Sequence, residues 1–314
     1  GRFRVRALRA SESLFLVIRG LRYHVRRWPP PSGRPGALRM FLLHGWMDVS
    51  ASFQFVVDAL RGDWEVYAPD WRGYGLTEWG RSDSYWFPDY LADLDKILEH
   101  FAPQDAVNLV GHSLGGNVAA LYAGIRPRRV AKLVNLEGFG MAPTRPEQAP
   151  KRYARWLNEL HERPTLRPYR DFDALAERLR TGNPRLTREK ADFLARHWGR
   201  EEGETVVLRS DPAHKIVNPL LYRLEEVQAC WREVSAPVLW VDAAQSDTLK
   251  RIGLSEAQHA ERRNCFKTLK HEATAKAKPH WDKAESINND ASALVNQIKD
   301  LRESIKGEKK EKPR

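Results

Sequence analysis

The chain has 314 residues, of which 42% are hydrophobic, and its formal net charge is +11. This length suffices for one large domain with an insertion or for two ordinary domains, and no run of 18 apolar residues is present that could span a membrane. Residues 250–314 contain 16 Lys and Arg against 10 Asp and Glu. Because much of the positive charge is confined to this end and no recognition motif accompanies it, the composition argues against nucleic-acid binding.

Both ends of the chain are predicted to lie outside the folded core. Residues 1–12 form a basic leader that we expect to be disordered, and no apolar run follows it that would make a secretory signal. Residues 306–314 form a charged, solvated tail. The two cysteines, Cys230 and Cys265, are too few for a disulfide framework, which favours a reducing, cytoplasmic location.

Strand and helix patterns alternate through the first 140 residues. Apolar positions alternate on both sides of Gly20 and predict a hairpin of two strands over 13–28. Short apolar runs predict four further strands, at 37–43, 64–69, 106–110 and 130–136. Helical spacing of apolar residues predicts three helices between them, at 52–60, 87–101 and 115–125. This order is typical of an α/β fold with a doubly wound, mostly parallel sheet.

The pattern changes after residue 140. Residues 141–232 are mostly helical, with helices predicted at 151–162, 171–181, 187–198 and 219–231. The first of these should end before Pro164, because the residue that precedes a proline is disfavoured in the helical region. A strand follows at 237–241, and a closing helix is predicted at 291–305. We therefore expect a core of residues 13–140 and 233–305 with residues 141–232 inserted as a helical lid over the mouth of the sheet.

A sharp turn is predicted at 111–115, where Gly-His-Ser-Leu-Gly directly follows a strand and directly precedes a helix. A residue between a strand and a helix takes a strained backbone conformation, so its neighbours must be small, and Gly111 and Gly115 meet that need. The N-terminus of the helix offers backbone N–H groups and positive potential to an oxyanion. The pattern predicts that Ser113 is a nucleophile.

A second loop, His44-Gly45-Trp46, comes directly after the strand predicted at 37–43. In this arrangement the backbone N–H groups of Trp46 and Leu114 are expected to form the oxyanion hole. His44 and the histidine beside Ser113, His112, are interpreted as structural residues that brace these loops by hydrogen bonding.

Three motifs in this order resemble the α/β-hydrolase fold superfamily: residues 43–46 (Leu-His-Gly-Trp), 70–75 (Asp-Trp-Arg-Gly-Tyr-Gly) and 111–116 (Gly-His-Ser-Leu-Gly-Gly). The likeness covers roughly residues 13–250. The chain looks similar to the lid-bearing branch that contains serine esterases, cofactor-free haloperoxidases, epoxide hydrolases and haloalkane dehalogenases. The last two use an aspartate as nucleophile, so Ser113 argues against both.

This resemblance implies a Ser-His-acid triad whose acid and histidine follow the nucleophile in that order. Asp247 lies just past the strand predicted at 237–241, where most members of the family carry the acid. Glu137, at the end of the strand predicted at 130–136, is the alternative. Both positions fall at the carboxyl ends of strands, where sites form in such sheets.

The histidine of the triad is harder to assign, because no Gly-His dipeptide of the family type follows residue 112. His280 fits best by order and spacing, since it comes 33 residues after Asp247 and precedes the last predicted helix. His271 is the alternative, and His259 is a further candidate. His214 falls in the predicted lid and is interpreted as a surface or pocket-lining residue.

These residues predict a serine hydrolase that cleaves carboxylic esters of small to medium apolar substrates through an acyl-enzyme on Ser113. The aromatic residues near the expected mouth, Trp46, Trp71, Tyr74 and Phe139, would line an apolar pocket. No cofactor or metal motif is found, and the expected partner is a small molecule. The alternatives are carbon–carbon bond hydrolysis, cofactor-free halogenation with peroxide, or a degenerate hydrolase fold that only binds.

Overall fold

The computed structural model describes residues 7–80, 82–243, 248–267 and 269–275. Ten strands are described: β1 (Glu12–Ile18), β2 (Leu21–Trp28), β3 (Leu38–Leu43), β4 (Trp64–Pro69), β5 (Val107–His112), β6 (Val130–Leu136), β7 (Gly199–Glu202), β8 (Thr205–Leu208), β9 (Val238–Ala243) and β10 (Leu269–Ala275). Nine α-helices accompany them: α1 (Gln54–Ala59), α2 (Phe87–Phe101), α3 (Leu114–Ile125), α4 (Ala149–Glu162), α5 (Phe172–Gly182), α6 (Arg188–Trp198), α7 (Leu224–Arg232), α8 (Thr248–Arg251) and α9 (Glu256–Arg263).

Eight of the strands form one sheet in the order β1-β2-β4-β3-β5-β6-β9-β10. β1 and β2 are the predicted antiparallel hairpin, β2 pairs antiparallel with β4, and every pairing from β4 to β10 is parallel. Helices cover both faces. Leu94 of α2 and Val118 of α3 are buried in the apolar cluster on one face, whereas Val57 of α1 is buried in the cluster on the other. The predicted doubly wound, mostly parallel α/β fold is confirmed.

The part between β6 and β9 contains helices α4 to α7 and a small hairpin, β7–β8, that the sequence patterns did not predict. α5, α6 and the hairpin share a separate apolar cluster that includes Leu175, Leu194 and Val206. α7 differs, because Trp231 is fully buried in the main cluster with the residues of α3. We propose that the inserted lid ends before α7 rather than at residue 232.

The two ends of the chain also differ from the expected organisation. Residues 7–12 do not stand apart as a disordered leader: the backbone N–H of Arg9 donates to Asp58 at 2.9 Å, and its guanidinium donates to the carbonyl of Pro29 at 2.7 Å. Helix α9 and strand β10 lie where no element was predicted. The closing helix predicted at 291–305 and the tail at 306–314 lie outside the described residues. Within the described ranges, no helix is long and apolar enough to cross a membrane.

Candidate active site

Ser113 occupies the sharp turn between β5 and α3, with φ 51° and ψ −113°. A positive φ is uncommon for a residue with a side chain, and such strain persists only where the surroundings impose it. Here the Ser113 N–H donates to the carbonyl of Leu136 at 2.8 Å, and the Ser113 carbonyl accepts the N–H of Asn117 at 2.9 Å. The serine is half-buried at the carboxyl edge of the sheet. This is the geometry of a nucleophile elbow.

The two glycines that flank the serine leave no space for a side chain. A Cβ at Gly115 would overlap the carbonyl oxygen of Leu43 at the end of β3, and a Cβ at Gly111 would overlap the carbonyl of Gly115. Helix α3 therefore starts in direct contact with strands β3 and β5. The small residues predicted around Ser113 are required by backbone-to-backbone contact.

The loop that follows β3 lies directly beside the serine. A Cβ built on Gly45 would be 3.4 Å from Cβ of Ser113 and 3.2 Å from Nδ1 of His112. The next two residues are Trp46, whose side chain is 56% exposed, and Met47, which has φ 57°. In the described part of the chain neither the N–H of Trp46 nor that of Leu114 donates to a protein acceptor. Two unused amide donors thus flank the elbow.

His44 is held by hydrogen bonds, and burial favours the neutral form of both histidines of the motifs. Nδ1 of His44 bonds the carbonyl of Gly45 at 2.8 Å, and Nε2 accepts the N–H of Trp71 at 3.0 Å, so both ring nitrogens are occupied. Burial lowers the pKa of His44 to about 4 and that of His112 to about 4. The bracing role expected from the sequence is therefore observed for His44, whereas for His112 it stays a prediction.

Glu137 lies at the end of β6, next to the elbow. It also has a positive φ, 54°, and its N–H donates to the carbonyl of Val241 on β9 at 3.1 Å. The neighbouring glycine, Gly138, is packed against Gly116 of α3: a Cβ at Gly138 would be 2.8 Å from Cα of Gly116. Oε1 of Glu137 is buried and has no hydrogen-bond partner among the described residues. A carboxylate with an unused oxygen therefore lies between the elbow and the end of β9.

Asp247 and His280, the acid and base favoured by the sequence, lie outside the described residues. The sheet nevertheless indicates the edge from which each segment departs. β9 ends at Ala243, four residues before Asp247, and β10 ends at Ala275, five residues before His280. Ala275 pairs with Ala243, so both strands end at the same edge, the one at which Ser113 lies.

His271, the alternative base, is placed differently. It pairs with Leu239 in the β9–β10 ladder, and Val241 of β9 pairs with Leu136, the residue before Glu137. A strand rises by about 3.3 Å per residue, so the backbone of His271, two residues lower, lies roughly 7 Å below the level at which β6 ends. This register disfavours His271 as the base.

A histidine–carboxylate pair that the sequence analysis did not predict joins α9 to β9. Nε2 of His259 lies 3.4 Å from Oδ1 of Asp242, and the same oxygen accepts the indole N–H of Trp240 at 2.6 Å. The His259 ring is 5% exposed and packs edge-on against Phe139, with the ring centroids 4.7 Å apart. His259 thus packs in the core beneath the site, with Phe139 against its ring and the carboxylate of Asp242 near Nε2.

The loop 70–75 is fixed in place by buried hydrogen bonds of its charged side chains. The carboxylate of Asp70 is bound by Nδ1 of His24 at 2.7 Å and by the N–H of Ser50 at 2.7 Å. Although burial opposes its charged form, the hydrogen bond from His24 keeps the pKa of Asp70 well below its usual range. Arg72 donates two hydrogen bonds to the fully buried carboxylate of Asp93 on α2, at 2.6 and 2.7 Å. The acidic and basic residues of this motif therefore anchor a loop.

The lid is attached to the same loop through His214, which lies in the short 3-10 turn Pro212–Lys215. Its ring is stacked between those of Tyr74 and Tyr85, with both centroid distances 3.8 Å. The carbonyl of His214 accepts the indole N–H of Trp46 at 3.3 Å. Gly73 makes room for this arrangement, since a Cβ there would be 2.6 Å from Nε2 of His214. His214 is thus a contact between lid and core rather than a surface residue.

The aromatic residues expected to line the mouth divide into two groups. Trp71, Tyr74 and Phe139 are at most 2% exposed and belong to the main apolar cluster, whereas Trp46 is exposed. Three of the four therefore pack in the core, and Trp46 alone of this set faces solvent. Among the described residues, no group of three His, Cys, Asp or Glu side chains is arranged to hold a metal ion.

Comparison with known proteins agrees with this geometry. A model of the α/β hydrolase fold family matches residues 39–268. A serine hydrolase-like protein of Danio rerio is 29% identical over 219 residues, which cover 68% of this chain and 65% of that protein. The match therefore spans slightly less than two thirds of the relative.

Two solved structures share the fold at low sequence identity. The thioesterase domain from the curacin biosynthetic pathway superimposes with a TM-score of 0.75 at 20% identity, over 90% of this chain and 99% of that one. An esterase of M. tuberculosis superimposes with a TM-score of 0.66 at 18% identity, over 91% and 92% of the two chains. The family model covers well over half of the chain and the relatives support a hydrolase, so the protein belongs to the α/β-hydrolase fold family.

Proposed function

We propose that the protein hydrolyses carboxylic esters of small to medium apolar substrates, with Ser113 as the nucleophile. The observation that carries the proposal is the strained serine itself, half-buried at the start of α3 and flanked by two amides, those of Trp46 and Leu114, that donate to no acceptor in the described part of the chain. The name of the Danio rerio relative, a serine hydrolase-like protein, supports the same chemistry.

In the proposed reaction Oγ of Ser113 attacks the ester carbonyl carbon while a histidine takes its proton. The carbonyl oxygen becomes an oxyanion and accepts hydrogen bonds from the N–H groups of Trp46 and Leu114. Collapse of this intermediate breaks the bond to the alcohol, which leaves with the proton from the histidine. Water then attacks the acyl-enzyme, with the same histidine as base, and releases the acid and the free serine.

His280 is the base that we propose. In the sequence it comes five residues after the end of β10, and that strand ends at the edge of the sheet where Ser113 lies. Asp247 and Glu137 compete for the acid. Asp247 is supported by its place in the sequence after β9, and Glu137 by its buried oxygen next to the elbow, which has no partner among the residues that the structure describes. The exposed indole of Trp46, in the loop whose Gly45 lies against Ser113, supports apolar substrates.

The decisive experiment is labelling of the folded chain with a fluorophosphonate, followed by mass spectrometry of the peptide that contains Ser113. We expect one phosphonyl adduct on Ser113, none in Ser113→Ala, and at least about a 10⁴-fold loss of turnover of p-nitrophenyl butyrate in that variant. An unlabelled serine in a chain with native circular dichroism would contradict the proposal and favour a binding role.

The acid and base are separated by four variants assayed for the same turnover. His280→Ala is expected to reduce turnover to nearly the level of Ser113→Ala, whereas His271→Ala should retain most of it. Of Asp247→Asn and Glu137→Gln, the variant of the true acid should lose about 10⁴-fold and the other far less. Full activity in His280→Ala would remove His280 from the mechanism and leave Ser113 to a different base.

A further inference from the structure

Helix α4 has an apolar side that is exposed among the residues that the structure describes. None of its fourteen residues is buried, whereas the other lid helices α5 and α6 bury two and three residues. Tyr153 is 46% exposed and Leu157 is 50% exposed. Because they are four residues apart on the helix, their side chains lie on the same side of it.

Neighbouring segments extend this apolar area. The guanidinium of Arg152 donates to the carbonyl of Asn218 at 3.2 Å, so the segment after the His214 turn runs along α4. Leu220, two residues further on, is 53% exposed. What we call the α4 surface consists of three apolar side chains that are about half exposed, Tyr153 and Leu157 on α4 and Leu220 on the segment bonded to it.

Positive charge accompanies this apolar area. Residues 141–170 contain seven Arg and Lys against three Glu. An open groove at the N-terminal end of α4 is lined by four basic residues and one acidic residue, with an amide and a valine: Arg145, Lys151, Arg152, Arg155, Glu147, Gln148 and Val217. A helix with an apolar side next to basic residues is suited to lie in the plane of a membrane surface, with its apolar side among the acyl chains and its cations at the headgroups.

We propose that the α4 surface docks on an anionic lipid bilayer. Two other binding partners for the α4 surface are disfavoured because their net charge is also positive. A second copy of the chain would bring the same excess of positive charge, and residues 276–314 of this chain carry ten Arg and Lys against seven Asp and Glu, again of the same sign. An anionic lipid surface satisfies both the apolar and the basic component of the α4 surface.

Vesicle sedimentation with the full chain tests this proposal, and it does not depend on Ser113. The probe is a vesicle of phosphatidylcholine and phosphatidylglycerol at 7:3, compared with phosphatidylcholine alone at 100 mM salt. We expect binding to the mixed vesicles and at least tenfold weaker binding to the neutral ones. Ser113→Ala should bind as the unmodified chain does, which keeps the result separate from that of the proposed activity.

Two variants and two matched controls identify the surface. Leu157→Glu removes apolar area, and its control Val17→Glu changes a residue of β1 that is 77% exposed. The double variant Arg145→Glu/Lys151→Glu reverses two charges at the groove, and its control Arg34→Glu/Arg61→Glu reverses two exposed charges elsewhere. We expect about tenfold weaker binding for Leu157→Glu and at least about 30-fold for the charge reversal, with the controls within threefold of the unmodified chain.

Three outcomes would overturn the proposal. The unmodified chain could fail to sediment with anionic vesicles, or Leu157→Glu could bind as tightly as the unmodified chain. In the third, the control Arg34→Glu/Arg61→Glu would lose as much binding as Arg145→Glu/Lys151→Glu, which would show a general charge effect. Far-ultraviolet circular dichroism of each variant confirms that a loss of binding does not come from unfolding.

Discussion

The turn at Ser113 and helix α4 differ in how strongly packing restricts their residues. Around Ser113 an added methylene group at Gly111 or Gly115 would overlap backbone atoms of a neighbouring element. On α4, none of the fourteen residues is buried. The fold therefore resists any side chain at the two glycines of the turn, whereas it tolerates many substitutions on α4.

This difference explains why one region can be recognised in the sequence and the other cannot. Steric restriction forces particular residue types at particular positions, so the turn leaves a short pattern of glycines. A helix without buried residues needs only helical propensity, and its apolar residues must then be explained by something outside the fold. Variants in the turn, the loop 70–75 and the lid should show how far this steric restriction extends from the turn.

The largest effect is expected for Gly115→Ala. The new methyl group would overlap the carbonyl of Leu43, and neither β3 nor α3 can move without disturbing the sheet. We expect a loss of about 3 kcal/mol or more in the free energy of unfolding, measured by urea denaturation. The control is Gly182→Ala on α5, where the nearest atom to the new Cβ is Nη1 of Arg178 at 3.7 Å. A stable Gly115→Ala protein would contradict the tight contact between α3 and β3.

Asp93→Ala tests whether the restriction includes the loop 70–75. The carboxylate of Asp93 is fully buried and also accepts the hydroxyl of Tyr23 at 3.0 Å. Its removal leaves the guanidinium of Arg72, which is 7% exposed, without its buried partner. Breaking a buried ion pair in this way costs about 3–5 kcal/mol, again measured by urea denaturation. A loss below about 1 kcal/mol in the free energy of unfolding would show that the loop 70–75 tolerates substitution as α4 does.

The contact between lid and core should depend on pH. Burial lowers the pKa of His214 to about 3, far below its ordinary value, so the folded chain keeps the ring neutral where the unfolded chain is protonated. This contribution to stability is complete above about pH 6.5 and falls by up to about 1.4 kcal/mol per pH unit on acidification toward pH 3.

The variant His214→Phe isolates this contribution. It retains an aromatic ring between Tyr74 and Tyr85 but takes up no proton. The free energy of unfolding, measured from pH 7 to pH 5, should fall less steeply in the variant than in the unmodified chain. Some pH dependence will remain in the variant, because burial also lowers the pKa values of His44 and His112. Equal slopes would show that His214 does not titrate between the folded and unfolded states.

The smallest effect is expected for Leu157→Glu on α4. This side chain is half exposed, and no residue of the helix is buried. The free energy of unfolding should therefore change by less than about 0.5 kcal/mol. Leu175→Ala on α5 is the matched comparison within the lid. That residue is 1% exposed, and its truncation should cost about 2–5 kcal/mol. A large effect of Leu157→Glu would mean that the α4 surface is covered by the chain itself.

Local sequence patterns were sufficient to predict several of the strands and helices around the turn at Ser113. The strands at 64–69 and 130–136 and the helix at 87–101 have the predicted bounds, because each is a single run with one clear period. The turn at Ser113 was predictable for the steric reason given above. The helix at 151–162 was also predicted to within two residues, since Pro164 marks its end.

What could not be predicted depends on contacts between distant parts of the chain. The hairpin β7–β8 is two strands of four residues, too short to show a period. The position of His214 between two tyrosines requires the lid and the loop 70–75 to meet, which no local pattern reports. Asp93 is one of several carboxylates on α2, and its burial beneath Arg72 follows only from the tertiary fold. The strand β10 begins in a lysine-containing segment without an apolar run.

Five residues other than glycine have a positive φ in the described chain, and three of them, Met47, Ser113 and Glu137, belong to the loops at the carboxyl edge of the sheet. Glycine would adopt these conformations without steric cost, so the fold alone would favour glycine at each. The side chains found there therefore lower the stability of the native state. Selection for stability would replace them with glycine unless they served another purpose. A selection for thermal stability, carried out without regard to activity, should accumulate glycine at these three positions and so identify the residues that the molecule retains for chemistry.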